Sequence, residues 1–130
     1  MFQPLQGKRY LRNTDVSQQA DGTWNVSLEY NADDNLTKNM IKEGMETEMS
    51  KIYEDLYRNN SHNIGLTTVS AFFPMTDKYG NTQDDLVYTS QLASDEAQKV
   101  NWNEDSAWLE LKILPGVWDN IFLYTSLQYS

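Results

Sequence analysis

The stretch from Thr23 to Tyr30 is the strongest constraint on what this chain can fold into. Trp24, Val26, Leu28 and Tyr30 alternate with Thr23, Asn25, Ser27 and Glu29. A strict period of two with one apolar face predicts a half-buried strand, which needs a second layer to cover it. Asp21-Gly22 just before it is a turn signal. Lys8 to Arg12, around Tyr10, is the candidate partner strand, and the polar residues 13–20 between them extend or loop.

The covering layer is read from the next segment. Asp33-Asp34-Asn35 supplies capping oxygens and negative charge where a helix dipole favours them. Leu36, Met40, Met45, Met49, Ile52 and Leu56 then recur three to five residues apart, with Ile41, Tyr53 and Tyr57 widening the stripe. Lys38, Lys42, Glu46, Glu48, Lys51 and Asp55 fill the remainder, and Glu54 and Arg58 form an i,i+4 pair. Asn59-Asn60-Ser61-His62-Asn63 closes the helix with turn-forming residues. Burying such a stripe at roughly 1.5–3 kcal/mol per large side chain would hold the helix on a sheet.

Ile64 to Met75 is rich in β-branched and aromatic residues and reads as a strand. Thr67, Val69, Ala71, Phe73 and Met75 share one face; Leu66, Thr68, Ser70 and Phe72 share the other. Pro74 marks the strand end or an edge. Asp77-Lys78-Tyr79-Gly80-Asn81 turns the chain, and Leu86 to Leu92 returns with Leu86, Tyr88 and Leu92 on one face. Ser94-Asp95-Glu96 is expected to cap a short helix running through Ala97 and Val100 to Trp102. Residues 108–114 fit two patterns. Leu109, Leu111 and Ile113 alternate as in a strand, whereas Trp108, Leu111 and Leu114 fit one helical face. Pro115-Gly116 ends either, and Ile121 to Tyr129 reads as a last strand.

The expected fold is therefore α+β, one domain over residues 1–130. It comprises an antiparallel sheet of about four to five strands, one long amphipathic helix packed on one face and a short second helix. A chain of 130 residues with 39% hydrophobic and 12% aromatic content can bury a core without staples.

Charge and composition bear on function mainly by exclusion. The net charge is −9, and Lys8-Arg9 with Arg12 is the one basic cluster. Nucleic acid and anionic membrane are disfavoured partners, since both require clustered cations. The acidic excess lies mostly in the second half, at Asp77, Asp84, Asp85, Asp95, Glu96, Glu104, Asp105, Glu110 and Asp119, and its simplest role is solubility. With no cysteine, disulfides, thiolate metal sites and cysteine nucleophiles are excluded. No apolar run is long enough to span a membrane.

Each candidate for chemistry has a structural counter-reading. His62, the single histidine, lies where a helix C-terminus favours positive charge, and a zinc site there would need several carboxylates. The acidic stretches 31–35 and 77–85 could bind calcium but lack EF-hand spacing, and capping and turn formation explain both. Met40, Met45 and Met49 could form an adaptable binding surface, but at helical spacing they read as core. No carboxylate pair stands out as an acid–base dyad, and neither a nucleophile elbow nor a phosphate loop is present. No catalytic, cofactor or metal residue is assigned, and no binding residue is singled out.

The order of motifs carries one likeness. Asp34-Asn35-Leu36-Thr37-Lys38-Asn39-Met40, then Pro74-Met75-Thr76-Asp77-Lys78-Tyr79-Gly80-Asn81, then Val100-Asn101-Trp102 resembles a group of small uncharacterised extracytoplasmic domains of Gram-positive bacteria. These are found on secreted, lipoprotein-like or membrane-anchored proteins. The likeness covers roughly residues 23–102, and its motifs are structural punctuation rather than chemistry. It implies export to the cell surface or medium, with the signal or anchor absent from this chain. It carries over no catalytic residue.

The resulting expectation is a non-enzymatic protein-interaction module of the Gram-positive cell envelope, using a sheet face or strand edge to bind a protein partner. It would need no cofactor and no direct membrane insertion, and its oligomeric state is left open. The alternative is a small acidic inhibitor that mimics DNA towards a nucleic-acid-binding protein, which requires carboxylates on one continuous face. A small-ligand carrier would instead gather some of Trp24, Phe72, Tyr88 and Trp108 around an apolar pocket.

Overall fold

The computed structural model describes residues 11–32, 41–60 and 64–122. Strands β1 (Leu11–Gln18) and β2 (Trp24–Asn31) form a hairpin, followed by helix α1 (Ile41–Asn60). Strands β3 (Ile64–Thr76) and β4 (Thr82–Ala93) form a second hairpin. After the four-residue helix α2 (Ser94–Ala97) the chain enters a helical segment made of α3 (Ser106–Trp108), a π-helical stretch (Leu109–Ile113) and α4 (Leu114–Val117). Strand β5 (Asp119–Phe122) follows.

The protein is α+β and its sheet is mixed. Strand order is β1-β2-β3-β4-β5, with β2 and β3 parallel and all other neighbours antiparallel. The expectation of an antiparallel sheet is thereby corrected, for a geometric reason. A tight turn reverses a chain, but a helix between two strands carries the chain back along their length, so the next strand runs parallel to the previous one. Twenty residues of α1 span about 30 Å, comparable to the length of the strands they connect.

The β2 alternation is realised in three dimensions: Val26, Leu28 and Tyr30 are buried, and Ser27 is exposed. Thr67, Val69, Ala71 and Phe73 are buried on β3, while Leu66, Thr68, Ser70 and Phe72 are half-buried. In β4 the register shifts so that Ala71 faces Tyr88 and Phe72 faces Leu86, leaving Val87 as an extra residue. That bulge buries Val87 and Tyr88 in succession, which strict alternation cannot do. Turns at Gly22 (φ 90°) and Gly80 (φ 86°) use the left-handed backbone that glycine tolerates.

Buried hydroxyls join α1 to the sheet. The Tyr53 hydroxyl lies 2.9 Å from Ser90 Oγ, and that of Tyr57 lies 2.8 Å from Thr67 Oγ1 and donates to the Leu92 carbonyl at 3.1 Å. From the sheet side, Tyr30 donates to the Met45 carbonyl at 3.2 Å and Tyr88 to Glu46 Oε2 at 2.8 Å. Burial pushes the Tyr57 phenol up to about 12 and also raises those of Tyr30, Tyr53 and Tyr88, so all four stay neutral donors. Met45, Met49, Leu56, Val69 and Leu92 fill the space between the layers.

Several local expectations change. Among the described residues the first strand covers Leu11–Gln18 and takes in most of the polar stretch 13–20, because an edge strand does not require apolar side chains. Ser94 opens α2 without capping it; the residue before it is Ala93, and Asp95 Oδ1 accepts from the Glu96 N–H at 2.9 Å. The short helix ends at Ala97 instead of reaching Trp102. The proposed cap at residues 33–35, Leu36, Met40, His62, the Lys8–Tyr10 part of the first strand and residues 123–129 of the last lie outside the described residues.

Candidate functional site

The helical segment 106–117 is where sequence reading left two conformations open, and it holds the least ordinary chemistry of the described residues. Asp105 starts it: Oδ2 accepts from the N–H groups of Ala107 and Trp108 at 3.1 and 3.3 Å. The following turn widens, and the Leu114 N–H bonds back to the Leu109 carbonyl, five residues earlier. That π geometry brings Leu109 and Leu114, both fully buried, onto the core side together. In an α-helix residues five apart would diverge. Neither simple pattern read from the sequence describes this segment.

The widened turn leaves Trp108 53% exposed and Leu111 65% exposed, three residues apart. Large apolar side chains held in water on an ordered segment mark a contact surface more often than a lone exposed leucine does. Tryptophan in particular concentrates binding energy at protein interfaces.

Behind this surface two carboxyl groups meet. Glu54 of α1 is 5% exposed; Arg58 Nη2 donates to its Oε1 at 3.2 Å. Arg58 Nη2 also donates to the Glu104 carbonyl at 3.3 Å and to Ser106 Oγ at 3.4 Å, tying α1 to the entry of the segment. The buried Oε2 of Glu54 has no hydrogen-bond partner among the described residues. Glu110, on the π stretch that packs against α1, lies close enough for Glu54 to raise its carboxyl. Partial burial and this neighbour push the Glu110 carboxyl up to about 7, with Lys51 acting the other way and Asp105 adding to the rise. Asp55 is raised as well, first by burial and then by Glu54.

The arrangement is two neighbouring carboxyl groups with one arginine on Glu54. Among the described residues no group of three or more acidic or histidine side chains could hold a metal ion. Arg58 and Lys51 beside the pair also oppose a cation there. An open cleft of about 440 Å³ lies nearby, lined by Tyr57, Arg58, Val100, Asn101, Trp102 and Asn103, and neither carboxyl group lines it. Trp102 stacks on Tyr57 at 5.0 Å between ring centres and donates its indole N–H to the Ala97 carbonyl at 3.0 Å. This aromatic pair fixes the loop that leads into the segment.

Other candidate positions disperse. Of the four aromatics expected around a ligand pocket, Trp24 and Phe72 are half-buried, Tyr88 is buried and Trp108 is exposed, and none lines this cleft. Met45 and Met49 are fully buried in the core. Asp77 organises its own turn, with Oδ1 accepting from the Tyr79 and Asn81 N–H groups at 2.9 Å each. Arg12, from the basic cluster, bonds Asp84 at 2.9 Å and Asn31 at 3.0 Å and covers the Phe72 ring at 4.3 Å. The carboxylates spread across both layers: Glu43, Glu46 and Glu48 on α1, Asp15 and Glu29 on the hairpin, Asp84 on β4, and Asp95 and Glu96 on α2.

Sequence reading missed the Glu54–Glu110 pair. The two residues come from elements far apart in the chain, and each looks like an ordinary solvated acid in its own segment. The one local signal was the spacing of five between Leu109 and Leu114.

Comparison with known proteins finds no family model, no curated protein and no solved structure that matches this chain.

Proposed function

We propose that the chain is a non-enzymatic protein-interaction module, and that it presents Trp108 and Leu111 to an apolar recess on a protein partner. The observation that carries this reading is the exposure of these two side chains on a segment anchored from below by Leu109, Leu114 and Arg58. Pre-ordering an aromatic anchor reduces the entropy lost on binding. Glu104 and Asp105 beside the pair favour a basic rim on the partner.

The site of action we assign is the Gram-positive cell envelope, outside the membrane, on the strength of the motif order at residues 34–40, 74–81 and 100–102. Among the described residues no helix is long and apolar enough to cross a membrane. The acidic-inhibitor reading is less well supported, because the carboxylates come from α1, the first hairpin, β4 and α2 rather than from one element.

A photo-crosslinking residue placed at position 108 or 111 of the native gene product, in its own cells, tests this. Adducts to one partner, weakened by Leu111→Asp and absent with the crosslinker at exposed position 27, are expected. Equal labelling from all three positions would remove the assignment. Cell fractionation of the same product tests the envelope location, and recovery in the cytoplasm would overturn it.

A further inference from the structure

We propose that the open cleft between the last turn of α1 and the loop after α2 binds a neutral polyhydroxylated ligand of the sugar class. Tyr57 and Arg58 line it from α1, and Val100, Asn101, Trp102 and Asn103 line it from the loop. Its volume of about 440 Å³ lies within the range of small-molecule sites, roughly 300–1,000 Å³. Sites for apolar ligands are lined mainly by hydrophobic side chains. Here a guanidinium and two primary amides share the lining with one aliphatic and two aromatic side chains. A sugar ring has the matching character, with C–H groups on its faces and hydroxyl groups around its rim.

The polar groups of the lining are held in place with donors to spare. Among the described residues the Arg58 side chain bonds only through Nη2, to Glu54 Oε1, the Glu104 carbonyl and Ser106 Oγ, which leaves Nε and Nη1 open. Asn101 Oδ1 accepts from the Asn103 N–H at 3.1 Å, so the amide N–H groups of Asn101 are open as well. A primary amide offers both donors and an acceptor, which suits neighbouring hydroxyl groups. Trp102 is fixed by its stack on Tyr57, with ring planes 6° apart, and by its indole bond to Ala97. The loop closes through the Glu104 N–H, which donates to the Asn101 carbonyl at 3.1 Å. Groups ordered before binding lose little entropy when a ligand arrives.

Charge decides in favour of a neutral ligand. Glu54, whose side chain is 7% exposed, bonds Arg58 at 3.2 Å and offsets the guanidinium. Glu104 and Asp105 follow the lining residues directly and add negative charge at that end, which opposes an anion. A cation would face the guanidinium with no carboxylate in the lining to hold it. Hydroxyl groups can accept from the open N–H donors and donate to the amide oxygens without bringing in charge. The cleft lies apart from Trp108 and Leu111, neither of which lines it, so it stands independently of the interaction reading.

NMR titration of the wild-type protein with glucose, galactose and N-acetylglucosamine, each to about 50 mM, tests the site. At least one of them is expected to shift the Trp102 indole N–H and the Asn103 side-chain amide signals along a saturating curve, with Kd on the order of 1 mM. Asn103 is exposed, so Asn103→Ala should keep the fold and weaken binding about tenfold, read at the Trp102 indole. Ser27→Ala, at an exposed position on β2, should leave binding unchanged. Sodium acetate over the same range should produce no saturating shift at these signals. Failure of all three sugars to give a saturating shift would overturn the proposal. So would a saturating response to acetate, or sugar binding that Asn103→Ala leaves intact.

Discussion

The Tyr53 hydroxyl and Ser90 Oγ lie 2.9 Å apart in the fully buried layer between α1 and β4. Ser90 also reaches Met49 Sδ at 3.3 Å, so with its proton directed there the phenol is the donor to the serine. Tyr53→Phe removes this buried donor and leaves Ser90 short of a partner. It should cost about 1–2 kcal/mol in chemical denaturation. Adding Ser90→Ala should recover part of that loss, because the stranded hydroxyl is then gone as well.

Two leucines test the conformation of the π stretch. Leu109 is fully buried and Leu111 largely exposed, although a strand would put both on one face. Leu109→Ala should therefore destabilise by about 2–4 kcal/mol, and Leu111→Ala by less than about 0.5 kcal/mol. Similar costs at both positions would favour a strand.

Glu110 sets a pH dependence whose sign can be worked out. Its folded-state carboxyl binds a proton more tightly than an ordinary glutamate, about 7 against 4.5. The stabilisation is fully present below pH 4.5 and is lost as pH rises through 7. Solvent screening at this part-exposed group limits the loss to about 1–2 kcal/mol. Denaturation midpoints should fall over that window in the wild type and stay level in Glu110→Gln. A stability that rises between pH 5 and 8 would contradict the assignment.

Two glycines should respond in opposite directions. Gly80 holds φ at 86°, so Gly80→Ala should cost about 1 kcal/mol although no neighbouring atom obstructs the new methyl. Gly116 lies in α4 with no positive φ and open space around its Cβ position, so Gly116→Ala should stabilise by about 0.4–1 kcal/mol. Thermal melts of the two variants compare them directly.

The sequence by itself determined the elements whose periodicity is local. The alternation in β2 and the β3–β4 hairpin around Gly80 follow from side-chain spacing and turn chemistry, which depend only on near neighbours. Even the buried face of β3 was legible, from Thr67 to Phe73. Tertiary structure decided the rest. The parallel pairing of β2 with β3 depends on where α1 delivers the chain, and the burial of Val87 beside Tyr88 depends on a bulge against β3. The π turn that joins Leu109 to Leu114 pays off only when a core is there to receive both side chains. Glu54 and Glu110 become neighbours in the same way. Each is an ordinary acid in its own helix, and only packing α1 against the C-terminal segment removes the water that would have kept them apart.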